Sequence, residues 1–201
     1  MAPLAPSRAQ SSAGGSGVST ATRILDATLA TMADHGVARL SLEDVAKRAG
    51  LSRQTVYRYF PSKGELLEAT VLREEEIFID NMKTAAGRQR ELEPALRAAI
   101  EAALRTGQAH VLLNRLMATE PTALVALVTT DRGPVLSAAR QALEDILVGW
   151  LPKAPKARLG MAADAVARLL VSYVMNPPAD PLAQVANRLA QLLVHGLPSG
   201  G

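Results

Sequence analysis

The chain has 201 residues and a formal net charge of only +3, so any affinity for a polyanion must come from local clustering rather than from overall charge. Apolar residues make up 48% but aromatics only 3%, which leaves Leu and Ala to build the core and suits close-packed helices better than sheets. Cysteine is absent; this excludes disulfides, iron–sulfur clusters, thiolate zinc sites and cysteine nucleophiles, and it is compatible with a reducing cytoplasm.

Residues 1–18 read as a disordered tail. They carry GGSG at 14–17, have no helical periodicity, and lack the apolar stretch of a secretory signal. Helical periodicity starts near Ser19. Ile24, Leu25, Thr28, Leu29 and Met32 form one stripe of a helix over Thr22–His35, and Gly36 stops it. Ser41 then reads as the N-cap of a short helix ending at Ala49, with Asp44 three residues on, close to a capping box. Leu42, Val45, Ala46 and Ala49 form its inner face, and Gly50 ends it. Ser52 caps the next helix, Arg53–Phe60, which Pro61 terminates. Ser62-x-x-Glu65 opens a long helix over 63–86, which at 1.5 Å per residue reaches roughly 35 Å.

Beyond Gly87 charge thins out and prolines punctuate an Ala/Leu-rich chain. Prolines near first turns predict helices over 94–118, 121–129, 134–151, 156–175 and 181–195. Alternating strand patterns and internal repeats are missing, and no apolar run approaches the roughly 18 residues of a membrane span. The expected fold is all-α: a three-helix head joined through the helix 63–86 to a larger helical body.

Two short helices around Gly50-Leu51-Ser52 have the size and turn of a helix-turn-helix. Small Ala46 permits a close crossing, and Val56 and Phe60 point inward. At 100° per residue, Arg53, Gln54, Tyr57 and Arg58 fall in an outward arc of roughly 140°. Arg suits guanine and Gln suits adenine in a major groove, and Thr55 beside the arc suits a thymine methyl or a phosphate. From Lys47 to Lys63 the chain carries Lys47, Arg48, Arg53, Arg58 and Lys63 and no acid. A solvated basic face would also explain the charges. Their coincidence with a capped helix-turn-helix favours DNA.

The segment Leu40–Ala69, LSLEDVAKRAGLSRQTVYRYFPSKGELLEA, resembles the DNA-binding signature of the TetR/AcrR family of transcriptional regulators. The spacing matches at Val45, Ala46, Ala49, Gly50, Ser52, Thr55, Tyr57, Tyr59, Phe60, Lys63 and Leu66, and the preceding helix with Gly36 matches too. The resemblance covers about a quarter of the chain. It implies base-reading or groove-facing roles for Arg53, Gln54, Thr55 and Tyr57, with Arg58 a further candidate. It implies phosphate contacts for Tyr59 and Lys63. Backbone N–H groups at the helix starts capped by Ser41 and Ser52 are additional phosphate donors. The division expected is a tail over 1–18, a DNA-binding head over 19–66 and an effector-binding and dimerisation body over 67–201.

In the body, the last two helices carry broad apolar stripes. The resemblance implies that they pair with a second copy through Val166, Leu169, Leu170, Tyr173, Leu182, Val185, Leu189 and Leu192. It also implies an effector pocket between the middle helices and the helix 63–86. Thr106, His110 and Asn114, spaced i, i+4, i+8, are candidate polar anchors on one helix face. Phe78, Met82, Met117 and Trp150 are candidate apolar lining. Scarce aromatics lean towards an aliphatic or amphipathic effector. The expected partners are a palindromic double-stranded operator, a second copy of the chain and an unknown small molecule, with no membrane. No cofactor, metal or catalytic site is expected, since the sequence lacks G-x-S-x-G, H-E-x-x-H, P-loop and G-x-G-x-x-G motifs. The rival reading is a non-specific architectural DNA binder, which needs a broad basic surface that the nearly neutral body does not offer.

Overall fold

The computed structural model describes residues 19–119 and 133–196; the expected tail and the expected helix 121–129 lie outside them. Among the described residues there are nine α-helices and no strands: α1 Thr20–His35, α2 Leu42–Ala49, α3 Arg53–Tyr59, α4 Lys63–Gly87, α5 Leu92–Ala109, α6 Val111–Thr119, α7 Pro134–Trp150, α8 Lys156–Met175 and α9 Leu182–Gly196. None of these is long and apolar enough to cross a membrane.

Serines set where the first four helices begin. The hydroxyls of Ser19, Ser41, Ser52 and Ser62 each accept the backbone N–H three residues on, at 3.1 Å in every case. Each such cap contributes about 1 kcal/mol. In α2 and α4 the hydroxyl also donates to the acid at the third position, Asp44 and Glu65. At the turn between α2 and α3, Gly50 adopts φ 64° and ψ 38°. Its N–H bonds to Lys47 O and the Leu51 N–H bonds to Ala46 O, the paired closure of a Schellman motif. Any L-residue at Gly50 meets the left-handed penalty of about 1–2 kcal/mol.

Two arginines lock α1 to α2. Arg23 donates to the Ala49 carbonyl at 2.7 Å and so satisfies the last turn of α2 from outside. Arg48 reaches back to pair with Asp34 at the end of α1. The hydrogen bond and charge of Arg48 hold the Asp34 carboxyl below its ordinary range. A depressed carboxyl stabilises the fold above its unfolded pKa, near 4, and that contribution is lost as pH falls through the folded value. Thermal melts of Asp34→Asn should therefore show a flatter decline in Tm below about pH 4 than wild type. An unchanged acid limb would mean that the pair adds nothing.

In the body, α4 packs on α5 and α7, α7 on α8, and α5 along α9. Helix α1 packs on α2 and α4 but also on α6, so the head touches the body through two helices. One continuous apolar cluster runs from Ile24 in α1 to Leu193 in α9. The buried hydroxyls of Thr28, Thr31 and Thr70 each donate to the carbonyl four residues back, so their burial leaves no orphan donor.

The single helix expected over 94–118 is two helices, broken at His110. The His110 N–H bonds back to Gly107 O, and its carbonyl accepts the Asn114 N–H. Its ring Nδ1 accepts the Leu113 N–H at 3.3 Å, so the imidazole acts as an N-cap for α6. Helix α5 also carries a close approach. A Cβ at Gly107 would lie 2.7 Å from Val174 Cγ2 of α8.

Candidate nucleic-acid interface and interior cavity

The recognition segment behaves as its phasing predicts. In α3, Val56 is fully buried while Arg53, Gln54, Tyr57 and Arg58 are exposed. Thr55 is half-buried, and its hydroxyl shares a 2.8 Å hydrogen bond with Ser52. Tyr59 is 43% exposed, so its ring stands at the surface and not in the core beside the part-buried Phe60. The Arg58 guanidinium lies 5.8 Å from the Tyr59 ring centre, a cation–π stack that presents both groups on one surface.

Two engagements were not visible in the sequence pattern. Arg53 pairs with Glu43 of α2 at 3.2 Å, so the first residue of the outward arc is held across the helix-turn-helix. Lys63 Nζ donates to Ala38 O at 3.1 Å, tying the start of α4 to the loop after α1. Ser41 is half-buried and Ser52 exposed; both hydroxyls are engaged in capping, as above.

A cavity of about 140 Å³ lies between the C-terminal half of α1 and the body helices. Its wall is mostly apolar, with Leu29 and Met32 from α1, Val71 and Phe78 from α4, Val135 from α7 and Val174 from α8. Of the candidate lining residues, Phe78, Thr106 and His110 face it. Met82 does not: it lies on the same face of α4 one turn beyond Phe78, fully buried in the core and outside the cavity wall. Asn114 is exposed, because the break at His110 takes it off the face of α5, and its amide donates to Gln108 O at 2.9 Å. Met117 packs part-buried against the core, and Trp150 is exposed at the last turn of α7; neither lines the cavity. Several cavity residues escaped the sequence reading, among them Glu74 and Glu75 of α4 and Leu29 and Met32 of α1. Glu74 Oε2 lies 3.3 Å from His110 Nε2. Burial pushes the Glu75 carboxyl above its ordinary pKa.

The expected dimer residues divide in two. Val166, Leu170, Val185 and Leu189 are buried in the protomer's own core and are not available to a partner. A stripe two positions wide along a helix buries one half inward and leaves the other outward. The outward half is Leu169 on α8 and Leu192 on α9, at 39% and 60% exposure, with Tyr173 and Leu182 at the edge. Met161 of α8 joins them at 71% exposure.

Comparison with known proteins places both halves of the chain. Residues 24–70 match the family model for bacterial regulatory proteins of the tetR family, and residues 91–195 match the C-terminal domain of the bacterial tetracyclin repressor. The HTH-type transcriptional repressor KstR of Rhodococcus jostii is 44% identical over 66 residues, 33% of this chain and 31% of that protein. The matched segment spans less than half the length of the curated relatives. Among solved structures, the TetR family repressor AlkX of a Dietzia strain, implicated in biodegradation of n-alkanes, has a TM-score of 0.65 at 28% identity, covering 91% of this chain and 97% of its own. SmeT, the repressor of the multidrug efflux pump SmeDEF of Stenotrophomonas maltophilia, has a TM-score of 0.60 at 25% identity, covering 91% and 92%.

Proposed function

The chain belongs to the TetR family of bacterial regulatory proteins, and on that premise we propose that it is a sequence-specific transcriptional repressor, cytoplasmic and homodimeric, released from a palindromic operator by a small-molecule effector. The observation that carries the reading is the outward arc of α3: Arg53, Gln54, Tyr57 and Arg58 are exposed together on a short helix fixed by its Ser52 cap and by buried Val56. The head over 19–66 reads DNA. Arg53, Gln54, Thr55, Tyr57 and Arg58 face bases, and Tyr59 and Lys63, with the helix starts at Ser41 and Ser52, hold phosphates.

The body over 67–201 serves dimerisation and control. The partner surface is centred on Met161, Leu169 and Leu192, which are apolar and exposed on adjacent helices. A two-fold dimer sets two recognition helices about one DNA turn apart, roughly 34–36 Å, or slightly more. Ligand control is supported by the walls of the cavity. Leu29 and Met32 belong to α1, and Val71 and Phe78 to α4, so an occupant touches both helices that join head to body. It acts only through different affinities for the operator-bound and free arrangements.

Selection of bound fragments from random DNA at near-physiological salt tests the reading. The expected result is one palindromic motif preferred at least roughly 10³-fold over random sequence. Broad binding without a motif would instead favour the architectural alternative and remove the reason to assign Arg53, Gln54 and Tyr57 to base reading.

A further inference from the structure

The cavity has a one-sided electrostatic character. Among the described residues that line it, the ionisable groups are Glu74, Glu75 and His110, and none is Lys or Arg. Both ring nitrogens of His110 are engaged within the protein. Its Nδ1 accepts the Leu113 N–H, which leaves Nε2 as the donor that faces Glu74. The Thr70 hydroxyl is occupied by Leu66 O at 2.7 Å. Glu75 makes no ion pair or hydrogen bond among the described residues, and desolvation is the sole cause of the rise in its pKa. The rest of the wall is apolar, and a cavity of about 140 Å³ is close to the roughly 150 Å³ that accommodates a benzene-sized guest.

We propose that this cavity takes a small lipophilic cation, an amine or quaternary ammonium on an alkyl or single-ring body, with its positive end against Glu74 and Glu75. The apolar body lies against Leu29, Val71, Phe78 and Val174. Two carboxylates in an apolar wall attract a cation and repel a carboxylate or phosphate of the same shape, because like charges brought together out of water are strongly disfavoured. The inference rests on the effector-binding reading above and names the ligand class for it.

The test uses the full-length chain and three ligands of matched length: hexylamine, which is cationic at pH 7, 1-hexanol and hexanoate. Calorimetry should rank hexylamine at least about tenfold tighter than hexanol, with hexanoate weakest, the margin of one charge-assisted hydrogen bond. Glu75→Gln and Glu74→Gln should each bring hexylamine towards hexanol while leaving hexanol binding unchanged, which also certifies that the variants are folded. Hexanoate binding as tightly as hexylamine, no binding by any of the three, or a hexylamine affinity indifferent to both substitutions overturns the proposal. Operator affinity is measured separately with hexylamine bound. Tight binding that leaves the operator affinity unchanged upholds the cavity assignment and overturns ligand release instead.

Discussion

Gly107→Ala is expected to destabilise the protein by about 1–2 kcal/mol, although alanine is the better helix former by up to about 1 kcal/mol. The reason is the close crossing of α5 and α8. The added methyl would lie 2.7 Å and 3.0 Å from the two γ-carbons of Val174, well inside contact distance. Val174 is nearly buried, and its β-branched side chain has few rotamers into which it can retreat. Overpacking of this kind costs typically 1–3 kcal/mol, which exceeds the propensity gain. Val174→Ala alone leaves a hole and also destabilises. In the double variant the new methyl enters that hole, so the two changes should couple favourably by about 1 kcal/mol or more in urea unfolding. Simple additivity would mean that the helices separate freely at this point and that the crossing is not tight. The same pair lines the cavity, so the crossing that sets the stability cost is also part of the cavity wall.

The head was legible in the sequence because its determinants are local. A serine accepts an N–H three residues away, and a glycine at φ 64° closes a turn within five residues, so the spacing alone carries the geometry. The body was legible in outline only. The break at His110 has no proline to announce it, and Gly107 before it lies within α5; a histidine caps α6 with its ring nitrogen, and that role depends on where the chain turns. Losing that break carried Asn114 onto the wrong face. Helical periodicity marks Val166, Leu169 and Leu170 as apolar but does not say which of them faces inward, since core and partner surface demand the same residue types. Glu43 with Arg53 and Lys63 with Ala38 join different elements, at separations of ten and twenty-five residues, so only the folded chain brings them together. Leu29 and Met32 were read correctly as an apolar stripe, yet their place in the cavity wall follows from how α1 sits against α4 and α6.

Arg53→Ala and Lys63→Ala should damage DNA binding in different ways, and the structure sharpens both expectations. Arg53 is held by Glu43 at 3.2 Å, but the pair is well exposed on both sides. Exposed ion pairs contribute about 0–1 kcal/mol, whereas a bidentate base contact discriminates by about 1–3 kcal/mol, so Arg53 is expected to leave Glu43 for a guanine edge when DNA is present. Arg53→Ala should therefore lower the preference for the selected operator over single-base variants by roughly tenfold or more at one position of each half-site. Lys63 already donates to Ala38 O, but an ammonium has three donors, so it can hold the loop and a phosphate at once. Lys63→Ala should weaken binding to operator and non-operator DNA by a similar factor and reduce the salt slope by about one. A thermal melt of Lys63→Ala separates the lost phosphate contact from a loosened loop, because only the loop changes the Tm of the free protein. Binding isotherms for the two variants on matched and single-mismatch duplexes at several salt concentrations decide the matter. If both variants shifted specificity alike, with parallel salt slopes, the division of α3 and the start of α4 into base-reading and phosphate-holding residues would be wrong.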